Sequence, residues 1–152
     1  MRTQLYNAIT AAVAAITDDD GCPVVRHIDL WNHNVEFIEQ EDNWQRPAVF
    51  IEFHPIQWRQ LKPGNQYHAT AQFSLHVVTD WTGPTANGSP HRQESLEAFQ
   101  LLDRIHAALH RLRGPNFGHT DLVESQTNHN HDELVENIET YQYKGWKTLS
   151  EK

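Results

Sequence analysis

The chain has 152 residues, 38 % of them hydrophobic and 21 % charged, and a formal net charge of −8 with histidine neutral. That length suits one domain with its own core, and no apolar run is long enough to span a bilayer as a helix. The lone cysteine, Cys22, excludes an internal disulfide and a cysteine-based zinc ribbon, and an acidic chain whose basic residues are scattered disfavours duplex binding.

In chain order, Leu5, Ile9, Ala12, Val13 and Ile16 recur at steps of three and four, which predicts a helix over 3–17 with one apolar face. Polar Gln4, Asn7 and Thr10 interrupt its Ala-rich stretch, so a helix is expected there rather than a secretory leader. "DDDG" (18–21) ends it, since acids oppose the dipole at a helix C-terminus. Cys22 follows between Gly21 and Pro23, in a predicted turn without a basic neighbour to activate it, and a reducing compartment suits it. Residues 24–37 are strand-prone but interrupted: "WNHN" reads as a turn, with "VEFIEQ" returning. "PAVFIEF" (47–53) reads as a strand, with Val49, Ile51 and Phe53 on one face and Ala48, Phe50 and Glu52 on the other.

After the Pro-Gly turn of "LKPGNQ", "YHATAQFSLHVVTD" (67–80) alternates strictly. Tyr67, Ala69, Ala71, Phe73, Leu75 and Val77 share one face; His68, Thr70, Gln72, Ser74 and His76 share the other. That pattern predicts a long strand of an antiparallel sheet, covered on its apolar side and solvated on its polar side. Ser89 and Pro90 read as the N-cap and first residue of a second helix, 90–113. Its stripe is Leu96, Phe99, Leu102, Ile105, Leu109 and Leu112. Gly114 is its expected left-handed cap and Pro115 its block. Arg104, Arg111 and Arg113 suit its C-terminal dipole. "DLVESQTN" and "ELVENIETYQYKGW" then form a hairpin around "HNHD". The fold class is α+β: two layers, one mainly antiparallel sheet with two helices packed on one face, in a single domain over 1–152.

Eleven histidines raise the question of a metal. His129, His131 and Asp132 are of the ligand types zinc uses, but three or four ligands must converge at about 2.0–2.2 Å. These come from one short tip, where Asn128, Asn130 and Asp132 are turn formers. His106 and His110 are spaced i, i+4 without the glutamate of an HExxH motif, and a rim position accounts for His106. No GxSxG nucleophile and no phosphate-cradling glycine loop is present. The sequence thus carries no catalytic, cofactor-binding or metal-ligating set. The expected contact residues are the loop and strand-end tryptophans Trp44, Trp58 and Trp81, with the tip His129, Asn130, His131 and Asp132 facing a partner.

The order of helix, "PAVFIEF" strand, Pro-Gly turn, "FSLHVV" strand, "SLEAFQLLDRIHAAL" helix and closing "NHNHDELVENIETY" hairpin resembles the tail terminator (tail completion) proteins of long-tailed bacteriophages and prophages, and their relatives at the head–tail joint. The resemblance runs from Leu5 to Tyr143 and matches least between Arg26 and Arg46. It implies a virion structural protein of the tail or neck, made in the host cytoplasm and without catalysis. Its implied partners are its own copies, in a ring that is usually a hexamer, together with the tail tube and the head–tail connector. No membrane, cofactor or sequence-specific nucleic acid is implied, and DNA passes through the ring. The rival reading is a histidine-rich metal-binding module or metal-dependent enzyme.

Overall fold

The computed structural model describes residues 1–32, 44–61, 64–128 and 133–150. Its spine is an antiparallel pair of long strands, β4 (Gln66–Asp80) and β6 (Leu134–Thr148), in register along their full length from Gln66↔Thr148 to Asp80↔Leu134. β2 (Ala48–Phe53) runs antiparallel to β4 on its other side, and β1 (His27–Leu30) lies parallel to β2 at one edge. β5 (Asp121–Asn128) forms the opposite edge against β6, with a bulge between Leu122 and Glu124. The order is β1-β2-β4-β6-β5, and a two-residue β3 (Arg59–Gln60) pairs with the start of β4. Helices α1 (Arg2–Ala14) and α2 (Arg92–Leu109) pack on one face. The α+β, two-layer, mainly antiparallel reading therefore holds.

The core lies between helices and sheet. Leu5, Ile9 and Val13 of α1 and Leu102, Ile105 and Leu109 of α2 meet Val49, Ile51, Phe73, Leu75 and Val77, all nearly or wholly buried. Phe73 stacks on Tyr141 with ring centroids 5.2 Å apart. Each long side chain removed from water here stabilises the fold by about 1.5–3 kcal/mol before entropy is charged.

The helix ends differ from the expectation for reasons of hydrogen bonding. α1 stops at Ala14, and the acidic run then forms a turn in which Asp18 Oδ1 accepts from the amides of Asp20 and Cys22, both at 2.9 Å. α2 begins at Arg92; Ser89 acts earlier, accepting from the His91 amide and donating to the Pro84 carbonyl. It ends at Leu109 because buried Thr120 donates its hydroxyl to the Leu109 carbonyl. The left-handed residue past its end is Arg111, φ 54°, and not Gly114. Gly114 serves close packing instead, since a Cβ there would sit 2.6 Å from the Phe117 ring.

The polar row of β4 is the larger correction. Thr70 is exposed and His68 and Gln72 half-buried, but Ser74 and His76 are only 2 % and 4 % exposed. A second cluster covers that half of the face. Ala48, Phe50, Val78 and Leu134 are buried there, with Trp31 and Trp44 packed against them. The face is thus solvated only toward the start of β4. The returning strand expected at "VEFIEQ" lies outside the described residues.

Candidate assembly surface

Three polar clusters on the sheet pair histidines with acids or hydroxyls. On the face away from the helices, His76 sits between two carboxylates, with Nδ1 2.6 Å from Glu136 Oε1 and Nε2 2.7 Å from Glu52 Oε1. The Trp31 indole lies flat on the imidazole, 3.8 Å between centroids and 1° between planes. A neutral ring has one N–H, so both contacts are made only if the cluster holds one further proton, on the ring or on a carboxyl. Beside it, Ser74 Oγ is 2.7 Å from His54 Nε2 and 2.8 Å from Thr140 Oγ1. A buried hydroxyl shared in this way is not presented to a substrate as a nucleophile.

The third cluster lies under α2, where the Glu139 carboxylate accepts from Ser125 and is 3.1 Å from His106 Nε2. His106 therefore has the rim role expected of it. The serine contacts the acid and not the imidazole, which is the wrong order for a nucleophile–base pair. Neighbouring Tyr141 has its hydroxyl raised well above the ordinary tyrosine range, first by burial and then by the Glu139 charge. Burial also raises Tyr143, against the lowering effect of Arg2. All three clusters satisfy buried polar groups within the sheet. Among the described residues no group of three His, Cys, Asp or Glu side chains is placed to hold a metal ion, and no helix is long and apolar enough to cross a membrane.

Two accessible hollows lie at the ends of the long strands. At the end where β4 finishes and β6 begins, a groove of ≈ 570 Å³ opens under the first half of α2. Leu101, Leu134 and Val135 line it, with Trp81 and Phe99, 48 % and 52 % exposed, at its mouth. Phe99 leaves the predicted buried stripe, and Leu101 takes a buried place, because this half of α2 stands over the groove. Asp80, Glu94 and Glu97 give the groove an acidic wall, and Arg46 pairs with Asp80. At the opposite end, Trp146 is 43 % exposed and borders a second hollow with Arg59, His68 and Lys144.

The expected contact residues distribute unevenly over these ends. Trp81 lies at the groove, its amide bonded to the Glu133 carbonyl at the base of the hairpin connection. His129, Asn130, His131 and Asp132 lie outside the described residues, between Asn128 of β5 and the start of β6. Trp44 packs edge-on against Phe50 at 5.1 Å, with the Arg46 guanidinium 5.5 Å from its ring. Trp58 is half-buried next to β3, at the far end of β4.

Comparison with protein families and with curated proteins finds no match. The fold, however, has a solved counterpart. A chain in the structure described as "Virion of native gene transfer agent (GTA) particle" superposes with a TM-score of 0.57. The two share 11 % identity, over 96 % of this chain and 97 % of the other. At that identity the likeness is one of fold, over the whole length of both chains.

Sequence reasoning missed three features: the groove, Trp146 as an exposed anchor, and the double carboxylate clamp on His76. A signal for Trp146 was present, because in a strand it shares a face with charged Lys144, two residues earlier. The groove had none, because it depends on how the first half of α2 is placed over the ends of β4 and β6.

Proposed function

We propose that this protein is a non-catalytic structural component of a phage-like virion. In this role it forms a ring that caps the tail tube and provides the surface that meets the head. The observation that carries the reading is the end-to-end likeness of fold to a chain of a gene transfer agent virion. Two further features support it. The edge strands β1 and β5 each have one unpaired side among the described residues, and β5 is exposed along nearly all its length. Edges of this kind accept neighbours, and heterologous contacts between copies close into rings. The net charge of −8 favours free passage of DNA through such a ring by like-charge repulsion. Its partners in this role are its own copies, the tail tube and the connector.

Electron microscopy of particles made without this protein tests the proposal. Tails of irregular length, or tails unjoined to heads, are expected. Regular, head-joined tails would remove it.

A further inference from the structure

The two ends of the β4–β6 pair are opposite in charge and matched in kind. Leu134 at the groove and Trp146 at the other end are twelve residues apart on one strand, about 40 Å at strand rise. The groove end presents apolar walls under exposed Glu94 and Glu97. On its floor, Thr79 Oγ1 and Asn137 Nδ2 are buried and have no hydrogen-bond partner among the described residues. Buried polar atoms of this kind are rare in native folds, and each one calls for a partner. The far end presents an exposed indole flanked by exposed Arg59 and Lys144. On a chain with eight more acidic than basic residues, a basic and aromatic hollow is a local departure.

We infer that the groove of one copy receives the Arg59–Lys144–Trp146 end of a second copy. This rests on the ring reading and names its self-contact. Charge sets the direction. Groove against groove opposes acid to acid, and hollow against hollow opposes base to base, so only the head-to-tail pairing is attractive. An indole is a large, rigid anchor of the kind that dominates interfaces, and its N–H is a donor suited to the Thr79 hydroxyl. Because the two surfaces differ, a pair of copies keeps one groove and one hollow free, on different copies, and the contact propagates until it closes.

Analytical ultracentrifugation of the intact protein up to millimolar concentration tests this. The groove reversal Glu94→Lys/Glu97→Lys and the hollow reversal Arg59→Glu/Lys144→Glu change only exposed side chains, so circular dichroism should match the wild type. Each reversal alone should raise the self-association constant Kd by about tenfold or more, the effect of 1.4 kcal/mol. The chain carrying all four changes should recover association, because the charges are exchanged and remain complementary. Trp146→Ala should also weaken it.

A monomeric wild type, either reversal associating as the wild type does, or no recovery in the fourfold variant would overturn the inference. Duplex DNA bound by the wild type and lost in Arg59→Glu/Lys144→Glu, with self-association unchanged, would assign the hollow to nucleic acid and overturn it too. Rings that persist in either reversal would remove this contact and leave the ring reading standing, which the particle micrographs judge separately.

Discussion

The two faces of the sheet are closed by different physics. On the helix side, α1 and α2 lay aliphatic rows over β2, β4 and β6, and burial of apolar area is the main stabilising contribution. On the other side, two tryptophans cover a face that includes Ser74, His76 and Glu136. There Ser74, His76 and Glu136 are tolerated because each is bonded to another polar group. The first face should fail by degrees as side chains are trimmed; the second should fail when one partner is removed and the other is left buried.

The largest effect is expected on the helix side. Phe73→Ala removes the ring between Tyr141 and Tyr143, and should lower unfolding free energy by about 3–5 kcal/mol in urea melts. A loss below about 1 kcal/mol would mean that this core is loosely packed. On the other face, His76→Ala takes its closest partner from Glu136, which is 3 % exposed and keeps the Asn128 side-chain amide, 3.2 Å from Oε2. It should cost about 3 kcal/mol, whereas Glu52→Gln, at the more exposed carboxylate, should cost about 1 kcal/mol or less. Equal losses from the two variants would show that the two carboxylates are held alike. Near-neutrality of both would make the clamp incidental.

The third prediction concerns alkali. The Tyr141 hydroxyl is raised in the folded state by burial and by Glu139. Above about pH 10 the unfolded chain releases this proton and the folded chain keeps it. The unfolded state then binds fewer protons, so stability falls as pH rises, by about 1.4 kcal/mol per unit. The contribution is complete below the ordinary tyrosine value and is lost as pH climbs toward the raised one. Tyr141→Phe should flatten this slope at little cost at neutral pH, since the hydroxyl has no hydrogen-bond partner among the described residues. An unchanged slope would place the alkaline sensitivity elsewhere. The smallest effect is expected at the edge. Leu122→Lys on β5, at a position 42 % exposed, should shift stability by no more than about 0.5 kcal/mol. A larger loss would mean that this edge is covered in solution.

Much of the fold was legible because its signals are local. The repeat of Leu5, Ile9 and Val13 marked α1 and its buried face, and the alternation from Tyr67 to Val77 marked β4 and its sidedness. Alternation says which side chains share a face, but not whether that face meets water. Ser74 and His76 read as solvated because their partners were invisible. Thr140 is 66 residues from Ser74, and Glu136 is 60 residues from His76. The C-terminus of α2 was misplaced for the same reason: the stop is imposed by Thr120, eleven residues on, rather than by the Gly114–Pro115 signal.

The sequence by itself determined the main elements, their order and the apolar side of β4, since these follow from periodicities carried within a dozen neighbouring residues. Tertiary structure alone decided which polar residues are buried and paired, and that α2 leaves a groove beneath its first half. It also decided that acidic and basic ends stand about 40 Å apart on one strand pair. Those are properties of register and packing, fixed when distant segments meet, and no local pattern encodes them.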